Sequence, residues 1–319
     1  VDRPANIPSD WLAFEFIVRP GHAGWRVDLF ISSRMPRLSR NRVQKLIKRA
    51  AFDSRGKPLR PAHTLAAGEI VTIFRPPLVE PEVPRNITIV WEDEHLVAVN
   101  KPPRLPVHPT ARFHKNTLIH LLEERYGEGH RPNLAHRIDS ETSGLVVCTK
   151  QKEAERGLKI MFQKRQVEKW YLAVVQGIPE PVEGRIEAPM GLNEGGQIYI
   201  KMVVREDGLP SLTEYAVLQA HKDRALVECR PRTGRQHQLR VHLAHIGHPI
   251  VGDKIYGTDT ELFLDIKNGV VAEDDIQRRA GALRHLLHAW RMRFAHPVTG
   301  EILLLEAPLP DDMRAAMER

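Results

Sequence analysis

The chain has 319 residues and a net charge of +7, with 42% of residues hydrophobic and 27% charged. These totals are ordinary for a globular protein of one large domain and one small one, and they exclude a fibrous or low-complexity chain. The positive balance tilts toward a polyanionic partner, while Cys148 and Cys229 each stand alone in an apolar run, which argues against a zinc or disulfide framework and points to a reducing compartment.

No apolar run approaches the roughly 18 residues of a membrane span, and the first residues lack a signal-peptide apolar core. A cytoplasmic protein with no membrane partner is expected. Residues 1–14 read as a loosely held lead-in, with Pro4 and Pro8 against early order. A small α/β domain is expected over 15–77. WRVDLFISSRM reads as a helix with Val27, Phe30 and Ile31 on one face, ended by Pro36. Ser39 is a candidate N-cap for a second helix, RNRVQKLIKRAAF, with Val43, Leu46, Ile47 and Ala50 as its apolar stripe. Arg42, Lys45 and Arg49 fall on another face. From Arg34 to Arg60 ten Lys and Arg stand against one acid, Asp53. Solvation is the usual meaning of a basic helix face. Here one sign dominates and i,i+4 acidic partners are missing, which favours phosphate contact. FRPPLVEPEVPRN, 74–86, is proline-rich and reads as a stiff linker. The larger domain is placed over 85–319.

ITIVWEDEHLVAVNKP reads as a β-hairpin turning near Asp93–His95. NTLIHLLEERYG reads as a helix capped by Asn116, stopped at Gly127 and burying Leu118, Leu121 and Leu122. HRIDSETSG, 136–144, then gathers an imidazole, a guanidinium, a carboxylate and a run of turn formers. Asp, Ser and Thr side chains bond nearby backbone, so DSETSG favours a tight turn. Gly144 releases the chain into LVVCT, a buried strand. Arg137, two residues away, favours the ionised form of Asp139. These residues alone leave two readings open: a structural turn capped by Asp139, or a carboxylate held for chemistry.

KEAERGLKIMFQKRQ reads as an amphipathic helix and EKWYLAVVQGI, 168–178, as a strand. Tyr171 lies in that strand, where residue type alone favours core packing. RIEAPM, QIYIKMVV, LTEYAVLQAH and ALVECRP read as further strands of a large, mostly antiparallel sheet. RTGRQHQLRVHLAHIGHPIVGDKIYG, 232–257, is the second dense cluster, with three Arg and four His between 232 and 248. QHQLRVHLAHI fits a helix with Leu239, Leu243 and Ile246 inward, ended at Gly247. His237, His242, His245 and His248 receive no assigned role. They lack HExxH and any cysteine or carboxylate at metal spacing, so no metal is expected. Residues 259–275 carry six acids and one Lys and read as a solvated surface loop or helix. LHAWRMRFAHPVTGEILLLEAP gives two strands around Thr299-Gly300, and DDMRAAMER a terminal helix N-capped by Asp311 or by Pro310.

Several of these stretches together resemble a known family. HRIDSETSG resembles the signature of the RluA-type pseudouridine synthases, HRLD with a short spacer and TSG, departing at Ile138, Ser140 and Glu141. The resemblance implies that Asp139 is the catalytic carboxylate and that Arg137 fills the gap left in RNA by a flipped-out uridine. Lys169, Tyr171, Ala173, Val175 and Gly177 match the family's Lys-x-Tyr-x-Ala-x-Val-x-Gly. That match implies that Tyr171 stacks on the target base and helps remove the proton from C5. RTGRQHQLRVH matches the third motif, with Gln236 at its variable place and Leu239 for the commoner Ile, and implies that Arg240 pairs with Asp139. The hairpin ending in Lys101-Pro102 resembles the first motif, whose role is mainly structural. The N-terminal pattern resembles the RNA-binding domain named after ribosomal small-subunit protein four, which docks a basic helix pair on structured RNA. It departs at AAFDSRGK, where a Gly and a Val-rich strand are common.

The fold implied is α+β: a mixed, mainly antiparallel central sheet with RNA in a central cleft, plus the small N-terminal α/β domain. The reaction implied breaks the ribose–uracil N1 bond, turns the base and rejoins it through C5. It needs a carboxylate, a base and orienting cations, and the uridine must leave its stack. Neither GxGxxG nor GxxxxGK occurs, in keeping with no nucleotide cofactor. The expectation is therefore a cofactor-free, monomeric RNA pseudouridine synthase acting on structured RNA, with large-subunit ribosomal RNA ahead of tRNA. Two rivals stand beside it. One is an RNA-binding or ribosome-assembly factor without turnover. The other is an RNA N-glycosidase, which normally needs a second carboxylate that the sequence does not offer beside Asp139.

Overall fold

The structure is a computed structural model describing residues 3–318 except 36, 37, 78, 111, 128, 130 and 131. The chain divides into two compact units, Val1–Val79 and Glu80–Arg319.

The first unit holds β1 (Leu12–Ile17), α1 (Val27–Arg34), α2 (Arg40–Ala50), β2 (Ala51–Phe52) and β3 (Ile70–Arg75). Its antiparallel sheet runs β1-β3-β2. The helix stripes read from the sequence do meet. Val27, Phe30 and Ile31 of α1 and Val43 and Ile47 of α2 pack with Val71 and Ile73 of β3. Ala50 turns instead to a second cluster with Ile7, Trp11, Phe52 and Phe74. The lead-in is therefore packed and not loose. The Pro4 carbonyl closes a turn on Ile7 N (2.9 Å) and that of Pro8 on Trp11 N (3.2 Å), so both prolines shape the segment that delivers Ile7 and Trp11 to the core. Ser39 occupies the N-cap position of α2, but its side chain makes no capping bond. The expected stop at Pro36 lies outside the described residues.

The second unit runs β4 (Thr88–Glu92), β5 (Leu96–Lys101), α3 (Leu118–Tyr126), β6 (Asn133–Leu134), β7 (Ser143–Thr149), α4 (Lys152–Gln163) and β8 (Glu168–Gln176). It continues through β9 (Glu183–Glu187), β10 (Met190–Leu192), β11 (Met202–Val204), β12 (Leu212–His221) and β13 (Arg224–Pro231). Then come α5 (Gln238–His245), α6 (Thr260–Asn268), α7 (Glu273–Ala280), β14 (Leu287–Ala295), β15 (Ile302–Glu306) and α8 (Asp311–Glu318). Ten strands form one sheet in the order β4-β5-β7-β14-β8-β13-β12-β9, with β15 beside β14 and β6 beside β7. Every pairing in it is antiparallel except β7 with β14, so the sheet is mixed and mainly antiparallel as the sequence implied.

That one parallel junction divides the core. Leu145–Cys148 of β7 pack with Leu118 and Leu122 of α3 and Leu158 of α4. Leu172–Val175 of β8 pack with Leu239 and Leu243 of α5 and Met313 of α8. At the junction Gly144 has φ +106°, and a Cβ there would lie 2.2 Å from the Ala289 carbonyl oxygen, so no other residue fits. The Gly of TSG is thus what lets β7 close on β14 directly behind the Asp139 loop.

Several local readings need correction. Thr117, not Asn116, holds the N-cap position of α3, because the Asn116 amide donates to the Pro81 carbonyl at 2.9 Å. Only the last three residues of QIYIKMVV are strand. The acidic 259–275 stretch supplies two amphipathic helices, α6 and α7, which share a small core of Leu262, Ile276 and Ala280. At α8 the Pro310 carbonyl accepts from Met313 N and Arg314 N (3.1 and 3.2 Å), which settles the choice of cap.

Candidate active site

The Asp139 loop lies between β6 and β7 and is held by groups buried beneath it. Lys101 ends β5 fully buried, and its ammonium donates to the Ser140 carbonyl at 2.9 Å and the Pro102 carbonyl at 2.8 Å. Burial, followed by repulsion from Arg284, lowers its pKa, while Asp139 and Glu141 oppose the fall. The Asp139 carbonyl closes the turn on Thr142 N at 3.2 Å. Thr142 Oγ1 then meets His285 Nε2 at 2.8 Å, and Ser143 Oγ meets His288 Nδ1 at 2.9 Å. The spacer residue Glu141 is paired with Lys254 and accepts from His285 N at 3.2 Å. This acid, one of the departures from the family signature, is therefore spent on the protein itself.

Helix α5 brings the partner. Arg240 Nη1 donates to Asp139 Oδ2 at 2.9 Å, across 101 residues of sequence. The same guanidinium donates Nε to Asp253 Oδ2 (2.6 Å) and Nη2 to Asp253 Oδ1 (2.9 Å). Asp253 Oδ1 also accepts from Ile255 N and Tyr256 N. Burial opposes the charge on both carboxylates, and Arg240 with the other charges and donors around them together outweighs it, so Asp139 and Asp253 each stay below the ordinary carboxylate range. The side chain of Asp139 remains 27% exposed, whereas that of Arg240 is 6% and that of Asp253 0%. The charge network thus opens at Asp139 and nowhere else along this chain of three.

His237 begins α5 in the left-handed region (φ 56°). Its Nδ1 meets the Tyr256 hydroxyl at 2.8 Å, and its Nε2 lies 3.8 Å from Asp139 Oδ2. Burial, then the Arg240 charge, pushes this imidazole down to about 4, so it is neutral at pH 7. His242 is buried against Thr213 Oγ1 and the Ala188 carbonyl, His248 reaches the Gln176 carbonyl, and His245 is exposed. Among the described residues no His, Cys, Asp or Glu group is arranged to hold a metal ion.

A cavity of about 230 Å³ opens at the carboxylate, lined by Arg137, Asp139, Thr142, Tyr171, Leu239 and Arg240 among others. It has room for one pyrimidine ring. Tyr171 faces it from β8. Burial, then the Asp139 charge, raises its phenol pKa, so the hydroxyl is neutral. Arg137 stands exposed at the rim, with no hydrogen bond or ion pair among the described residues. The residues singled out in three distant motifs of this unit therefore share one cleft. Arg42, Lys45 and Arg49 lie exposed on α2 of the other unit.

Residues 95–245 match the family model described as RNA pseudouridylate synthase. The chain is 34% identical over 303 residues to the ribosomal large subunit pseudouridine synthase D of Zymomonas mobilis, covering 91% of this chain and 92% of that one. It is 33% identical over 318 residues to the protein of the same name from Xanthomonas campestris, covering 97% and 93%. The chain belongs to the RNA pseudouridylate synthase family. Among solved structures, human RNA pseudouridylate synthase domain containing 1 is similar at 28% identity and TM-score 0.58, covering 75% of this chain and 90% of its own. The domain containing 4 protein matches at 28% and 0.56, covering 72% and 92%.

The synthase thus has an α+β fold and acts as an isomerase on RNA. Sequence reasoning missed Asp253 and Tyr256, which stand behind Arg240 and His237. Their one local signal was the Gly-Asp turn of VGDKIYG, directly after the Arg- and His-rich cluster. A Cβ on Gly252 would lie 1.9 Å from the Arg284 carbonyl oxygen, so that turn is as constrained as the one at Gly144.

Proposed function

We propose that this synthase isomerises uridines of large-subunit ribosomal RNA, with Asp139 as the reacting carboxylate. The names of its relatives support the target. The Arg240–Asp139 contact at the mouth of the cavity carries the assignment of the carboxylate. Arg240 occupies Oδ2, and among the described residues Oδ1 has no hydrogen-bond donor, which leaves that oxygen for the substrate. In this reading the uridine swings out of its stack into the cavity and Arg137 takes its place in the RNA. Asp139 acts at C1′ or on a sugar proton as the N1–C1′ bond breaks. The base turns, C5 bonds to C1′, the C5 proton leaves and N1 takes up a proton, so the product is an isomer of the substrate. Tyr171 stacks on the base. As a neutral phenol it takes up that proton only while passing its own onward, and Asp139 is the charge within electrostatic reach.

The first unit, which contains the small domain expected over 15–77, serves in this reading as a clamp that places Arg42, Lys45 and Arg49 on phosphates. A monomer in the cytoplasm completes the proposal, in keeping with two buried free thiols. The test is a chemical pseudouridine map of RNA from cells with and without the gene. Loss of signals from large-subunit ribosomal RNA is the expected result. Loss from tRNA alone moves the target, and no loss anywhere ends the proposal.

A further inference from the structure

We infer that Lys169 is the anchor for a phosphodiester next to the target uridine, a subsite at the junction of the catalytic cavity and a second groove. The inference rests on the reading of Asp139 and Tyr171 given above. Lys169 and Tyr171 are two residues apart on β8, so they share a strand face about 7 Å apart. Lys169 lines the 230 Å³ cavity and also a neighbouring groove of about 470 Å³ that carries Phe162, Arg165 and Trp170. A base resting on Tyr171 therefore carries its backbone toward the Lys169 ammonium.

That ammonium is partly buried, and among the described residues it has neither a hydrogen bond nor an ion pair. Neighbouring acids are engaged elsewhere: Glu168 holds Arg293 (2.7 Å), Glu228 holds Arg230 (2.7 Å) and Glu214 holds Arg232 (2.7 Å). The nearby ring of His136 offers no free acceptor, since its Nε2 already accepts from Val147 N at 3.0 Å. Gly234 lies beside the ammonium, where a Cβ would rest in ordinary contact, 3.7 Å from Lys169 Nζ. Burial lowers the pKa of Lys169 with no anion to offset it. An unpaired, half-desolvated cation costs the free protein stability and gains a charge-assisted bond when an anion arrives. Arg137 and Arg165 line the same groove and have no acidic partners among the described residues, so the anion favoured is a nucleic-acid phosphate.

The experiment uses the full chain, its Lys169→Met and Lys169→Arg variants, and C5-tritiated total RNA from cells lacking the gene. Lys169→Met is expected to raise KM roughly 10-fold to 100-fold with kcat within a few-fold. The log–log salt slope of binding should fall by about one. Lys169→Arg should recover the slope. The melting temperature of free Lys169→Met should be unchanged or higher, because an apolar side chain suits the site better than an unpaired ammonium. Unchanged KM and salt slope overturn the subsite. So does a lowered melting temperature with the slope intact, which marks a structural lysine, or a loss of kcat alone, which marks a group acting on the reaction. If wild-type protein releases no tritium, the proposed reaction fails, while the salt slope still decides the fate of Lys169.

Discussion

Arg240 and Asp253 face each other in a two-pronged ion pair, Nε to Oδ2 at 2.6 Å and Nη2 to Oδ1 at 2.9 Å, that leaves one guanidinium nitrogen for Asp139. The pair fixes the plane of the guanidinium, and through it the direction of the half-open carboxylate. Asp253 alone accepts from two of the buried guanidinium nitrogens, so without it those donors lose their partners inside the protein.

Asp253→Ala is therefore expected to do two things at once. It strands part of a buried guanidinium, which lowers folding stability by about 3–5 kcal/mol in urea titration. It also frees Arg240 to rotate, and misplacing Asp139 by even an ångström lowers kcat on the order of 100-fold. Asp139→Asn, at the exposed end of the same set, should lose turnover completely with RNA affinity within several-fold. If Asp253→Ala kept both stability and C5-tritium release, Arg240 would need no second partner.

Tyr171→Phe keeps the ring and removes the hydroxyl. Stacking on the base survives, so RNA binding should hold within a few-fold while release of the C5 proton slows by roughly 100-fold or more. Rapid-quench measurement of tritium release under single-turnover conditions reads this step. Release at the wild-type rate would leave Tyr171 as a stacking surface only.

How far this site was legible depends on how local its signals are. Asp139, Tyr171 and Arg240 each sit in a stretch whose residue types and order are distinctive, and their meeting followed from the resemblance. The helix stripes of α1 and α2 were legible because their apolar residues recur at helical spacing. Asp253 was not, because nothing in its flanking residues shows that a guanidinium needs a second carboxylate. Ile7 and Trp11 failed for a related reason. A short irregular segment has no period, and its burial depends on Phe52 and Phe74, which arrive from elsewhere. The role of Glu141 was hidden for the same reason, because its partner Lys254 lies 113 residues onward.

The basic face of α2 gives a prediction about binding alone. Arg42, Lys45 and Arg49 are exposed, and Arg49 also lies 4.8 Å over the Trp11 ring. Replacing all three by Ala should weaken binding to structured RNA and lower the log–log salt slope by about two to three, with kcat at saturating RNA unchanged. Arg49→Ala should also loosen the Ile7–Trp11 segment, visible as faster amide exchange there, since an arginine stem packs as well as charges. An unchanged salt slope in the triple variant would make this face a solvated surface.

Acid titration should separate the buried imidazoles from the carboxylates. Burial holds His237, His285 and His288 down to about 4 in the folded chain, against about 6.5 when unfolded. Between those values the unfolded chain binds protons that the folded chain refuses. Stability therefore falls as pH drops from about 6.5 toward 4, by up to about 3 kcal/mol for each ring. Asp139 and Asp253 follow the same direction lower down. Burial opposes their charge and Arg240 with its neighbours together outweighs it, so their folded values lie below the ordinary carboxylate. Their contribution is complete above about pH 4 and is lost as pH falls through the depressed folded values. Urea midpoints measured from pH 8 to pH 3 should hold steady to about 6.5, decline to about 4, then drop again. The tritium-release rate should stay flat across the first decline, because Asp139 remains ionised there. A midpoint indifferent to pH between about 6.5 and 5 would mean that the three rings are not held neutral in the folded protein.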